Sequence, residues 1–411
     1  MQTISATYRV TTPMFLGGAE QQAELRLPSF KGVLRFWWRA MAWERVKDIS
    51  RLRDEEAALF GSSDEWVGQS KVLIRLDRNT TIPSALCPPE QLKDGTQVVG
   101  SGARYLGYGV MEAFGSRNKS TVEGQLTRSC VPAPFTFTVN LLLKSTIKSE
   151  QTQEITQTLK ILGLVGGVGS KSRKGYGSLT LLSLKLDDQE TWTPPATAEK
   201  VVDAIRTILG LNQLRASQPG GSSQNELSEW TAFSLASRVV VVTAENRDRS
   251  PLALLDKIGR EIVRYRSWGR NGKVLGNVDS EHNFKDDHDL MKLQSSQRRN
   301  HPHRIVFGLP HNYGNQHQQR VGPDDAQLDR RASPLFIHIC QESSGSLPIG
   351  VLAFLPSRFL PQDRDVIDTG GAKTALDTET LWQPIHSFLS RLLDPNERKE
   401  SFGAATEVTH G

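Results

Sequence analysis

The apolar positions along the chain fall into two successive sets of elements. Residues 6–10 alternate loosely and stop at Thr-Thr-Pro, which predicts a short strand. Phe30, Val33, Leu34, Trp37 and Met41 follow helical spacing just after Pro28, with Ser29 placed to cap the helix. Residues 71–76 and 136–143 are rich in β-branched and aromatic side chains and predict two more strands. Ile155, Leu159, Leu162 and Val165 trace one face of a second helix. That helix runs into a glycine-rich loop, and residues 178–186 predict a closing strand. A further helix over 199–214 is expected to pack onto this first set.

The Ser-, Gly- and Gln-rich stretch that follows has the composition of a flexible connection. The pattern then restarts. Residues 238–243, 335–339 and 349–355 predict strands, and 381–393 predicts a helix. Residues 252–268 predict another helix, with Leu255, Ile258, Ile262 and Tyr265 on one side. Leu59-Phe60-Gly61-Ser62 and Val306-Phe307-Gly308-Leu309 form a local echo, each ahead of a predicted strand. The last strand of the second set has no visible signal, and the residues after Pro395 look frayed. The expected architecture is α+β, two tandem ferredoxin-like (RRM-like, βαββαβ) domains. The first spans 1–215 with the loop and a trailing helix, 216–228 is the linker, and 229–411 carries a polar, histidine-containing insertion.

At 411 residues the chain is long enough for each domain to bury its own core. Lys+Arg 50 against Asp+Glu 45 gives a net charge of only +5, so the placement of the cations has to decide whether the partner is a polyanion. Cys87, Cys130 and Cys340 lie far apart, without a CxxC pair, which excludes a disulfide framework or zinc ribbon and fits a reducing compartment. No basic segment followed by an apolar stretch opens the chain, and apolar runs such as 239–242 are too short to span a bilayer. A cytoplasmic protein without a membrane partner is expected.

The loop Gly167-Val168-Gly169-Ser170-Lys171-Ser172-Arg173-Lys174-Gly175-Tyr176-Gly177 is the most informative stretch. Its glycines permit positive φ and close backbone approach, its N–H groups can cradle an anion, and Lys171, Arg173 and Lys174 add charge. It lacks the Gly-Lys-Ser/Thr order of a nucleotide-phosphate loop, and it follows a helix instead of a strand, unlike a dinucleotide fingerprint. A second basic feature is the helix start. Ser29, Lys31, Gly32 and Arg35 sit where free N–H groups favour an anion, and Lys31, Arg35 and Arg39 form a stripe at i, i+4 and i+8. Trp37 fits the core, whereas Trp38, beside Arg39, is the candidate for stacking on a base. Arg260, Arg264, Arg266 and Arg270 surround Tyr265 and Trp268 in the second half, with Arg264 and Arg270 the expected contacts. Taken singly, each of these features also fits a solvated basic surface.

Together the helix start and the loop resemble the RAMP superfamily of CRISPR proteins. Thr12-Pro13-Met14-Phe15-Leu16-Gly17-Gly18-Ala19, Pro28-Ser29-Phe30-Lys31-Gly32-Val33-Leu34-Arg35-Phe36-Trp37-Trp38-Arg39 and Leu59-Phe60-Gly61-Ser62 look like the subunit-one members of type III-B (Cmr) effector complexes. Phe307-Gly308-Leu309-Pro310 and Arg330-Arg331-Ala332-Ser333-Pro334-Leu335 extend the likeness into the second half. The resemblance implies an antiviral, RNA-guided complex in which this subunit holds the crRNA 3′ region and meets target RNA. It also implies neighbouring Cmr/RAMP subunits, with target cleavage carried out elsewhere in the complex.

The rival is a RAMP endoribonuclease that processes CRISPR repeat RNA. All nine histidines lie at His282 or later, so the half with both basic features lacks the side chain best suited to proton transfer near neutral pH. For metal-assisted cleavage, Glu20 and Glu24 are the only acids in the relevant early loop. Glu281, His282, Asp286, Asp287, His288 and Asp289 have the side-chain chemistry of metal ligands but no zinc spacing. His301, His303, His311 and His317, with Arg298, Arg299 and Arg304, are expected on a polar, mobile, strand-poor insertion facing RNA or a neighbour. The expectation is no catalytic residue, no metal and no cofactor.

Overall fold

The computed structural model describes residues 2–18, 22–63, 68–116, 118, 120–210, 227–246, 248–268, 272–274, 278–313, 319–325, 327–361 and 366–409. Its first half runs β1 (Gln2–Val10), α1 (Leu27–Val46), α2 (Ile49–Phe60), β2 (Val72–Leu76), α3 (Ser101–Leu106), β3 (Phe135–Leu143), α4 (Ser149–Val165), β4 (Leu179–Leu186) and α5 (Ala198–Leu209). The strands form an antiparallel sheet in the order β2-β3-β1-β4, with Gln189–Glu190 at its edge. Ile4, Ala6, Tyr8 and Val10 bury one face of β1, and Ala6 stands between Val139 of β3 and Leu184 of β4. The other face is polar. There Ser5 Oγ donates to Asn140 Oδ1 at 2.7 Å and the Thr7 and Thr138 hydroxyls meet at 2.9 Å. Period-2 alternation thus became a sheet with one dry face.

The second half supplies β5 (Arg238–Thr243), α6 (Pro251–Arg266), α7 (Lys285–Lys292), β6 (Leu335–Cys340), β7 (Ile349–Phe354), α8 (Gln383–Leu393) and β8 (Ala405–Glu407). Its antiparallel sheet has the order β6-β7-β5-β8, so both sheets read second, third, first, fourth. The β6 and β7 strands are buried on both faces, which is why their sequences run apolar without alternation. Phe336, Cys340, Val351 and Ala353 join the core of the first half, whereas Ile337, Ile339 and Leu352 pack with Leu254 and Ile258 of α6. No helix among the described residues is long and apolar enough to cross a membrane.

Several expectations are corrected. The α5 helix closes at Leu209 with Gly210 at its C-cap, short of 214. The chain after Pro395 is pinned: Gly403 N donates to Thr243 O, Val408 N donates to Val239 O, and β8 completes the sheet. The polar insertion is not strand-poor, because His311–Tyr313 and Gln319–Pro323 join Val366–Thr369 and Lys373–Ala375 in a small antiparallel sheet. Residues 216–226 of the linker, with Glu20 and His317, lie outside the described residues.

The segment between β2 and β3 is fixed to the second half by a glycine crossing. Asp256 Oδ1 on α6 accepts the N–H groups of Gly102 and Ala103 at 2.7 and 3.1 Å, capping α3 from a neighbouring helix. A Cβ on Gly259 would lie 2.3 Å from Gly102 O, and one on Gly102 2.4 Å from Arg260 N. Gly259→Ala is therefore expected to destabilise by about 1–3 kcal/mol despite alanine's better helix propensity. A urea midpoint equal to or above that of the unmodified protein would refute the tight crossing.

Candidate nucleic-acid interface

The helix start and the glycine-rich loop meet. Ser29, Gly32, Val33, Phe36 and Trp37 of α1 line an open cleft of about 280 Å³ with Gly167, Ser172 and Arg173 of the loop and Phe336 of β6. Pro28 sets the first turn of α1, and extended Arg26 is the N-cap residue, so Ser29 sits inside the first turn and does not cap it. That turn carries neither an acidic residue nor a side-chain cap, which leaves the positive end of a 20-residue helix uncompensated by side chains. A Cβ on Gly32 would have nothing within 4 Å. Packing therefore does not require glycine here, although a helix interior disfavours it.

The basic stripe is only partly free. Arg35 Nε and Arg39 Nη1 both donate to Glu56 Oε1, at 2.6 and 2.5 Å, and Glu56 itself is buried. Lys31 has no such partner among the described residues; burial, then the neighbouring charge of Arg35, holds its pKa below the ordinary lysine value. Trp38 offers no face to a base. It is buried, its Nε1 donates to Glu154 Oε2 at 3.1 Å, and its ring meets Phe60 edge-on. The reason is that α1 packs against both α2 and α4, so its apolar arc is wider than one face.

The loop is held from three sides. Val168 N donates to Gly177 O at 2.9 Å, Ser170 N to Phe15 O at 2.7 Å, and Gly177 N to Pro13 O at 2.9 Å. Gly177 has φ +63°, and a Cβ there would lie 2.1 Å from Val168 O. Gly169 has φ +92° and would meet Phe15 O at 2.6 Å, so these two glycines serve the loop's own closure. Gly175 is packed against Leu255 of α6, and Tyr176 is fully buried with its hydroxyl donating to Ala103 O at 2.8 Å. Ile337 N of β6 donates to Arg173 O at 3.1 Å, which ties the loop to the second sheet.

The three loop cations differ. Arg173 lies over the rings of Phe336 and Phe36, 4.7 and 5.5 Å from their centroids, and its Nη1 donates to Ser333 O at 3.1 Å. Burial pushes its pKa down to about 10, which leaves it charged at neutral pH. Lys174 is pushed down to about 7, first by burial and then by Arg266, Lys171 and Arg173. Burial, then Arg128 and Arg330, also lowers Lys171, which has left-handed backbone at φ +65°. Arg128 carries no motif, and Arg266 and Arg330 stand out in the sequence only within other stretches; folding brings all three beside the loop lysines. Phe336 was likewise legible only as a strand residue.

The second basic-aromatic patch is not a free surface. Arg264 Nη1 and Arg260 Nη2 both donate to Glu400, the latter at 2.6 Å, so Arg264, expected as an RNA contact, is engaged in an ion pair within the fold. Arg270 lies outside the described residues. Buried Arg298 donates to the carbonyls of Thr369, Gly370, Met291 and Leu293, and buried Arg304 donates to Arg266 O. Asp287 accepts from His303 N and Arg304 N, and His288 stacks on Trp268. The acid/histidine cluster thus has structural roles. No group of three His, Cys, Asp or Glu able to hold a metal occurs among the described residues.

Comparison with known proteins gives the fold a context. Residues 7–180 match the family model of the RAMP superfamily. Over 350 residues the chain is 23% identical to CRISPR system Cmr subunit Cmr1-1 of Pyrococcus furiosus, covering 83% of each protein. It is 25% identical over 178 residues to Cmr subunit Cmr1-2 of the same organism, covering 42% of this chain and 92% of that one. The crystal structure of apo Cmr1 from Pyrococcus furiosus aligns with a TM-score of 0.51 at 18% identity, over 100% of this chain and 99% of that one. The chain shares that fold, and its residues 7–180 are similar to the RAMP superfamily.

Proposed function

We propose that the chain is a non-catalytic, RNA-binding subunit of a type III-B CRISPR effector complex. In this reading it holds the backbone of crRNA, in its 3′ region, and of target RNA in the cleft between α1 and the glycine-rich loop. The observation that carries the reading is the convergence of Ser29 and Gly32, at an acid-free helix start, with Ser172 and Arg173 across one cleft. Free N–H groups, a hydroxyl pair and a fixed guanidinium suit phosphate oxygens, and such contacts position RNA without reading its sequence. Lys31, Lys171 and Lys174, with no carboxylate partner among the described residues, add to the field. The names of the relatives support assembly with other Cmr/RAMP subunits. The absence of histidine before position 282 supports holding over cleavage. We read residues 1–215 and 229–411 as tandem ferredoxin-like domains, a reading supported by the strand order shared by both sheets.

Gly32→Ala tests the cleft. The helix should gain about 0.5–1 kcal/mol, because the added methyl meets no neighbour. Affinity for single-stranded RNA should nevertheless fall about tenfold or more, because the methyl occupies the space where the backbone approaches. Thermal melting and fluorescence anisotropy read the two effects separately. Unchanged affinity in a stabilised variant would overturn the cleft reading.

A further inference from the structure

Next to the glycine-rich loop, the segment between β2 and β3 presents Tyr108, a residue 68% exposed although its backbone is hydrogen-bonded. Tyr108 N donates to Tyr105 O at 3.2 Å, and Val110 N donates to Gly107 O at 2.9 Å. Thr127 Oγ1 donates to Gly109 O at 3.2 Å, which closes the turn from the neighbouring strand-like segment. This turn touches the loop directly: the Cβ position of Gly109 is 3.8 Å from Lys171 Nζ. On the same patch, exposed Arg128 donates from Nη1 to Ser170 Oγ at 3.4 Å. Arg330 is exposed as well, and it forms a loose ion pair with exposed Asp329 at 3.7 Å. Lys171 is held below the ordinary lysine value by burial and then by the charges of Arg128 and Arg330.

We propose that Tyr108 is a stacking platform for an unpaired RNA base, with Lys171 and Arg128 holding the phosphates on either side of it. This proposal rests on the RNA-binding reading above and extends the RNA path from the cleft across the outer side of the loop. The chemistry favours single-stranded RNA. An aromatic ring with a free face accepts any unpaired base, and a rigid backbone keeps the ordering cost of the contact low. Cations beside the ring supply the sequence-independent contribution. A paired duplex would hide the base faces and leave Tyr108 without a partner.

The test compares Tyr108→Leu and Tyr108→Phe in the full-length protein. The probes are a single-stranded oligoribonucleotide and an oligomer of the same backbone with abasic positions. Tyr108→Leu should weaken binding of the normal strand roughly 5- to 100-fold, leave the abasic strand unchanged, and be rescued by Tyr108→Phe. Equal weakening on both strands would mean that Tyr108 acts through the fold, and the proposal fails. Unchanged binding of the normal strand also overturns it. If Gly32→Ala still weakens binding in that case, the stacking platform alone is lost; if neither variant matters, the RNA-binding reading falls with it. Loss of assembly with protein partners at unchanged RNA affinity would assign Tyr108 to a protein interface and overturn the proposal.

Discussion

Replacing Glu261 by alanine is expected to lower the unfolding free energy by about 3–5 kcal/mol, the usual cost of removing one member of a buried ion pair. Glu261 is 0% exposed on α6. Its Oε2 accepts from Nε and Nη2 of Arg391 on α8, at 3.0 and 2.6 Å, and its Oε1 accepts from Lys399 N at 2.6 Å and from Glu400 N. The carboxylate therefore joins two helices to the chain leading into β8. Its loss leaves Arg391 with Glu281 alone and leaves two backbone donors unpaired. Glu261→Gln should cost less, since an amide oxygen still accepts. Urea unfolding gives both values, and a loss below about 1 kcal/mol for the alanine variant would contradict this account.

The second large effect is expected in RNA binding. Alanine at Lys171, Arg173 and Lys174 together should weaken binding of a single strand about 100-fold and lower the magnitude of the salt slope by about 2. Unchanged affinity and slope would remove the loop from the interface. Lys174 adds a pH dependence. Burial and then the charges of Arg266, Lys171 and Arg173 push it down to about 7, so it is largely neutral at pH 8. A phosphate beside it favours the charged form, so affinity should rise as pH falls through about 7, with proton uptake on binding. Lys174→Met should abolish that pH dependence without disturbing the contacts of Arg173. The sign for folding is opposite. Between pH about 7 and the ordinary lysine value the native state binds fewer protons than the unfolded chain, so this group makes stability rise with pH.

What was legible in the sequence follows from how each element is buried. The β1 and β3 strands alternate because one sheet face is polar, and Phe30, Leu34 and Trp37 repeat at helical spacing because α1 covers the other face. Trp38 misled because a second helix covers it, and a helical wheel drawn for one buried face cannot show two. The α2 helix was missed because Leu52, Leu59 and Phe60 are its only buried apolar residues among many charges. With three residues, β8 has no period to read. For the site, the loop and the helix start were visible as motifs. Phe336 and Arg128 were not, and Arg330 was visible only in a separate stretch, because only tertiary folding brings them to the loop. Arg264 was visible as a cation, but the carboxylate that occupies it lies 136 positions away.

The bond from Ile337 N to Arg173 O gives the loop a mechanical character. A loop anchored only at its ends is a tether, and a pull on it is taken up by bending its own backbone. This loop is also fastened at its middle to a strand buried on both faces, so a pull on it is shared by two sheets and the core between them. A nucleic-acid strand gripped here would meet a stiff anchorage, more like a peg set in a wall than a hook on a string. Under the proposed function, such stiffness would suit a part that holds the end of a long guide in fixed register.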